Sequence, residues 1–287
     1  MWWDERMSSS DRTGIDIWGE DDNAARYDEF ARRYPGYRET SRDLIALANP
    51  ARDATVLDLA CGTGATTAEI LSVLGPDGKV VAVDMSPAML TVAAGSVRDR
   101  RVQWVQAAAE DIDRHLSEPV DAAVCNSAIW QTDLGAAAAA VRRVLPTGGR
   151  LVFNVGAGFL GELDDPNRLG NLPGVMRVIA ARDYGWTPPA ARTGARPRPR
   201  LSREAIGRLL GEAGFEIERV EELSYEASPE AQRAWLAVPI FTTMYLPGLP
   251  YPERMHVLDE AYAQLGAGQT QIGRWVAFAA TAAPGRS

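Results

Sequence analysis

Cysteine and histidine are both scarce in this chain, with two of each in 287 residues. Cys61 and Cys125 stand far apart in the sequence, so no disulfide framework is expected and a reducing, cytoplasmic compartment fits. Two cysteines and two histidines without ligand spacing suggest no metal site. Positive charge is in deficit: 30 Lys+Arg against 38 Asp+Glu give a net charge of −8 and a sequence pI near 5.0. A nucleic-acid partner needs a basic face, so this balance argues against one. Apolar runs of about 18 residues are missing, so no membrane span is expected. The opening Met-Trp-Trp-Asp-Glu-Arg lacks the basic-then-apolar order of a secretory signal. No internal repeat is visible.

What is present is enough apolar material, 46% of residues, for a large core. One stretch organises it. Thr55-Val-Leu-Asp-Leu-Ala-Cys-Gly-Thr-Gly64 reads as a buried strand entering a glycine turn. Helical spacing follows over 65–74, and Val80-Val-Ala-Val-Asp84 is a second buried strand ending in a carboxylate. A strand, glycine turn, helix, strand and acid in this order form the plan of a nucleotide-binding βαβ unit. Glycines let a ligand approach the backbone, and a strand-end carboxylate can accept hydrogen bonds from both ribose hydroxyls. Thr67 stands where a dinucleotide motif would have its third glycine, and no P-loop lysine follows.

Asp58-Leu-Ala-Cys-Gly-Thr-Gly64 together with Val83-Asp-Met-Ser-Pro87 resembles the cofactor site of class I S-adenosylmethionine-dependent methyltransferases. Arg143, Leu145, Pro146, Gly148, Gly149 and Leu151 resemble that family's turn into its fifth strand. The resemblance implies an α/β fold: a Rossmann-like, seven-stranded, mostly parallel sheet with helices on both faces. It adds an N-terminal helical lid and an inserted cap. The implied cofactor is S-adenosyl-L-methionine, leaving S-adenosyl-L-homocysteine as product. Asp58, Ala60, Gly62 and Gly64 are then expected along its methionine and ribose parts. Asp84 is expected on the ribose diol and Met85 on adenine. Ala108 stands where the family often has an adenine-binding Asp, which shifts that contact to the Ala109 backbone, Glu110 or Asp111. Asn126 and Ser127 follow strand four, where the family lines the reacting methyl group.

Strands are expected at 55–59, 79–83, 102–106, 121–125, 150–155, 215–221 and 274–280, the last antiparallel. Ser86 and Ser202 read as N-caps. Residues 22–48 read as two helices broken at Pro35-Gly36, with Tyr27, Phe30, Ala31 and Tyr34 on one face. The expected organisation is an arm and lid over 1–50, a cofactor-binding core over 51–155 and an insertion over 156–200. The C-terminal part of the core follows over 201–287, with a cap at about 226–272. Tyr27 is assigned to the cofactor, and Tyr37, Trp130 and Tyr245 to the substrate pocket. His256 is the candidate base.

The function expected is methyl transfer to a small-molecule acceptor, plausibly a secondary metabolite, with oxygen slightly favoured over nitrogen or carbon. A homodimer is left open. Two rivals are kept. One is an RNA or protein methyltransferase docking through Arg192, Arg196, Arg198 and Arg200. The other is a non-methylating cofactor binder or rearrangement catalyst on the same fold.

Overall fold

The computed structural model describes residues 18–19, 22–160, 172–188, 201–265 and 271–284. Short apolar runs bounded by turns build one seven-stranded sheet. Its strands are β1 (Thr55–Leu59), β2 (Lys79–Asp84), β3 (Val102–Gln106), β4 (Ala122–Cys125), β5 (Arg150–Gly156), β6 (Phe215–Ala227) and β7 (Gln271–Ala282). Their spatial order is β3-β2-β1-β4-β5-β7-β6, and β7 alone runs antiparallel to both of its neighbours. The order reverses direction beside β1, which is where ligands bind in open α/β sheets.

Alternation along the strands sends side chains to two faces. Leu57, Leu59, Val81, Val83, Leu151 and Phe153 share one buried cluster with α5 (Leu134–Val144) and α7 (Arg203–Glu212). Val56, Val80, Ala82, Val124 and Val152 pack on the other side. There they meet α2 (Gly36–Ala48) and α3 (Ala65–Val73). Asp58 alternates with Leu57 and Leu59, so it faces this second layer. Helix α4 (Pro87–Ser96) starts as the sequence suggests: Ser86 Oγ accepts the Met89 N–H and Pro87 takes the first position. Ser202 caps α7 through the Ala205 N–H.

Differences from expectation lie at the edges. Strand β6 continues to Ala227 rather than ending at 221. Alternating Glu221, Glu222, Leu223, Ser224 and Tyr225 stay paired with β7, whose start at Gln271 is correspondingly earlier. Two short helices, α8 (Pro229–Leu236) and α9 (Pro239–Tyr245), were not foreseen; each begins with a proline at its first position. With α6 (Leu172–Tyr184) and α10 (Tyr251–Leu265) they form a separate small core of Leu172, Met176, Ile179, Leu236, Leu246, Val257 and Leu258.

Helix α1 (Asn23–Arg33) bridges the two bodies. Its Asp28 is buried against Arg32 (2.8 Å) and lies 3.5 Å from Ser96 of α4. Its Asn23 accepts the Ile240 N–H of α9 at 2.8 Å. The arginine stretch from Arg192 to Arg200 lies outside the described residues.

Candidate cofactor and acceptor site

The loop from β1 to α3 carries an unusual backbone. Ala60, Gly62 and Gly64, three alternate residues, all have positive φ (56°, 55° and 87°). Left-handed backbone is cheap for glycine and strained for alanine, and such strain concentrates at functional turns. The two glycines serve different ends. A Cβ on Gly64 would lie 3.2–3.4 Å from Val97, Trp104 and Ala93, so its bareness lets the turn pack on the helix and strand beside it. A Cβ on Gly62 would meet only Tyr27 Cε1, at 3.9 Å. Gly62 is therefore the glycine whose backbone faces the site.

Two carboxylates flank this turn. Asp84, at the end of β2, is 9% exposed. Its Oδ2 accepts the Gly62 N–H and its Oδ1 the Ser86 N–H, both at 2.9 Å. These bonds lock the carboxylate at the edge of the turn. Asp58 is fully buried and accepts the Thr67 hydroxyl at 2.6 Å through Oδ2. Its Oδ1 has no hydrogen-bond partner. Burial pushes the Asp58 carboxyl up to about 7, against the Thr67 hydrogen bond, and the nearby Asp84 charge adds to the rise. An orphaned carboxylate oxygen beside a second carboxylate fits a cationic ligand. S-adenosylmethionine, with its sulfonium and ammonium groups and ribose diol, matches this donor and charge set.

Beyond β4, Asn126 is the hub of a polar network. Its Nδ2 donates toward the Tyr37 carbonyl (3.0 Å), Thr40 Oγ1 (3.0 Å) and Ser41 Oγ (2.9 Å). Its Oδ1 accepts from Asn154 Nδ2 and Ser127 Oγ, each at 3.0 Å. The Asn126 side chain is thus committed to holding α2 against the ends of β4 and β5. Ser127, with φ 56°, offers its carbonyl to Trp130 Nε1 at 3.0 Å. Trp130 in turn stacks on Phe159 at 3.9 Å and 14°.

Above the turn, rings from distant segments meet. Tyr27 contacts Tyr37 (5.5 Å), Trp18 (5.5 Å) and Phe241 (6.1 Å). Trp235 stacks on Phe241 at 4.1 Å and 12°, and lies 6.4 Å from Tyr245. Tyr27 and Tyr37 thus stand on one side of the Gly62 turn, while Trp130 belongs to the β4 turn.

Other assigned residues stand apart from this centre. Ala109 opens the turn Ala109–Arg114 after β3, and the Glu110 carboxylate accepts the Asp133 N–H at 2.8 Å. Met85 is 40% exposed just after Asp84. His256 requires a correction. A base must reach the site, but the turn of α10 sends Val257 inward and leaves His256 exposed. It packs at 6.5 Å against Tyr184 on the outer side of α6, with Asp183 near, and so is no base for a reaction at the Gly62 turn.

Residues missed at first were mostly polar groups in apolar surroundings. Asn154 interrupts the run Leu151–Val155, and that interruption was the available signal. Thr40, Ser41 and Thr67 gave none. Trp235 and Phe241 fall within the cap expected at about 226–272, but nothing in the sequence marks them as site residues.

The sheet order and the glycine turn, taken with a methyltransferase-domain family match over residues 56–149, support a class I S-adenosylmethionine-dependent methyltransferase. Among curated proteins, a ubiquinone/menaquinone biosynthesis C-methyltransferase from Ectopseudomonas mendocina is 29% identical over 67% of this chain and 78% of its own length. The corresponding protein of Idiomarina loihiensis is 34% identical over 45% of this chain, a match that spans about half (54%) of that relative. Solved folds include a Haemonchus contortus phosphoethanolamine N-methyltransferase bound to phosphomonomethylethanolamine and S-adenosylhomocysteine. It has TM-score 0.56 and 17% identity, covering 93% of this chain and 58% of that one. The [4+2]-cyclase SpnF has TM-score 0.51 and 18% identity, covering 86% of this chain and 82% of that one.

Proposed function

We propose that this chain methylates a small, largely apolar molecule held between the Gly62 turn and the rings of α1, α2, α8 and α9. The observation that carries this reading is the aromatic wall of Trp18, Tyr27, Tyr37, Trp235 and Phe241 directly beside Gly62. In this reading α1 and α2 are the lid, and α6 with α8–α10 is the cap. Concave apolar sites with a few polar groups are the usual form for small ligands.

S-adenosylmethionine supplies an electrophilic methyl group on a sulfonium, which passes to a nucleophile in line with the sulfur. The protein's share is positioning and exclusion of water. Asp84 would hold the ribose hydroxyls, and its own bonds to Gly62 and Ser86 fix its angle. Asp58 would supply negative charge toward the sulfonium. Met85 and Ala109 would take the adenine end. The ring wall keeps water from the nucleophile. Asn126 and Ser127 act indirectly, by setting the wall of the β4 turn that Trp130 and Phe159 extend.

The test is a transfer assay with methyl-labelled S-adenosylmethionine and a panel of phenols, quinols and amines. Label in a small product, at oxygen or at carbon as in the activity named for the curated relatives, supports the reading. Label only in added RNA or protein contradicts it. A second reading is favoured by the cyclase among the solved folds. It has the same pocket promote a rearrangement with the cofactor retained, and it predicts turnover without release of S-adenosylhomocysteine.

A further inference from the structure

The acceptor end of the site contains a phenol with an unusual hydrogen-bonding position. Tyr37, near the start of α2, stands between Tyr27 of α1 and Trp235 of α8. Its oxygen accepts the Trp235 indole N–H at 3.4 Å. The Tyr27 ring lies 5.5 Å away at 66°. A phenolic oxygen has two lone pairs and one proton. One lone pair takes the indole N–H, and the proton remains for a ligand acceptor. Among the described residues none accepts that proton. The side chain is half-buried. Burial raises the Tyr37 phenol above its ordinary value, so at neutral pH it is a donor and not a base.

The surrounding rings indicate what the acceptor oxygen is attached to. Trp235 and Phe241 stack face to face, and Trp18 meets Phe241 edge-on at 6.0 Å and 81°. These are flat apolar surfaces, suited to a planar ring. We propose that Tyr37 determines acceptor specificity, donating its phenolic proton to an oxygen of a planar, oxygen-bearing ring. This rests on reading the space beside Gly62 as the acceptor site. A quaternary ammonium ligand would use the ring faces instead and leave the Tyr37 proton idle.

The experiment is equilibrium dialysis of the full chain against 2-naphthol, its isostere 2-methylnaphthalene and tetramethylammonium, with S-adenosylhomocysteine present. In Tyr37→Phe, binding of 2-naphthol weakens about three- to tenfold, the effect of one hydrogen bond. Binding of 2-methylnaphthalene is unchanged, which also shows that the variant folds. Equal effects on both arenes, no arene binding by wild type, or binding of tetramethylammonium alone overturns the proposal. S-adenosylhomocysteine is dialysed separately. Its failure to bind, with the arene pattern intact, would remove the methyl-transfer reading and leave the role of Tyr37 standing.

Discussion

The two ends of the site are built by different means. In the proposed site the cofactor end is made largely by one continuous stretch, residues 55–86, and is fixed by backbone: Cys61 N–H on the Val83 carbonyl, and Gly62 and Ser86 N–H on Asp84. The proposed acceptor end is made by side chains from α1, α2, α8 and α9, segments some 200 residues apart, and is fixed by ring contacts and single hydrogen bonds such as Ile240 N–H to Asn23. The first is rigid because its groups belong to the sheet. The second depends on how two separately packed bodies meet. Such a division lets one cofactor serve many acceptors, since the second end can be rebuilt without disturbing the first.

Substitutions can separate the two ends. Phe153 is fully buried and stacks on Phe278 at 5.3 Å in the core on the α5 and α7 face. Phe153→Ala should cost about 3–5 kcal/mol of folding stability and abolish both functions together. Trp235→Ala, at a half-buried position, should cost about 1–2 kcal/mol and leave S-adenosylhomocysteine affinity unchanged. Denaturant unfolding and cofactor titration measure both. A loss of cofactor affinity in Trp235→Ala would show that the two ends are one unit.

Asn126 is the joint between them, through Tyr37, Thr40 and Ser41 of α2 and Asn154 of β5. Asn126→Ala strands several buried polar groups, and should lower stability by about 1–3 kcal/mol in thermal unfolding. A change near zero would mean that α2 is held by its apolar contacts alone.

A finer test uses pH. The folded carboxyl of Asp58 titrates near 7, above its ordinary range, because it is buried. Between about pH 4 and 7 the folded protein therefore holds a proton that the unfolded chain has released. The Asp58 contribution is full below that window and is lost as pH rises through about 7. Relative to Asp58→Asn, wild type should lose about 2–3 kcal/mol between pH 5 and 8 without cofactor. Cofactor binding should strengthen over the same range in wild type and stay flat in the variant. A wild-type curve parallel to that of Asp58→Asn would show the carboxylate ionised throughout.

The same division decides what could be read from residues alone. Strands β1 and β3 lie at the expected positions, because short runs such as Val56-Leu57 and Val102–Gln106 are bounded by polar turns. The Asp84 position followed from spacing, since a βαβ unit fixes how far its acid stands from its glycines. The acceptor end had no such ruler. Trp235 and Phe241 sit in short helices whose neighbours are set by folding of distant chain, so proximity to Tyr37 was invisible. His256 misled for a related reason: a helix turns by about 100° per residue, so buried neighbours say little about the residue between them. Asn126 was placed at the right turn, but its partners across α2 and β5 were not legible, and with them its bracing role.

The measurement that tests the account most directly is calorimetric titration of wild type and Asp84→Ala with S-adenosylhomocysteine. Wild type should bind, and the variant should lose about 1.5–3 kcal/mol of affinity, the range for hydrogen bonds to a charged group. Unchanged affinity in Asp84→Ala, or no binding by wild type, would contradict the cofactor site on which everything above is built.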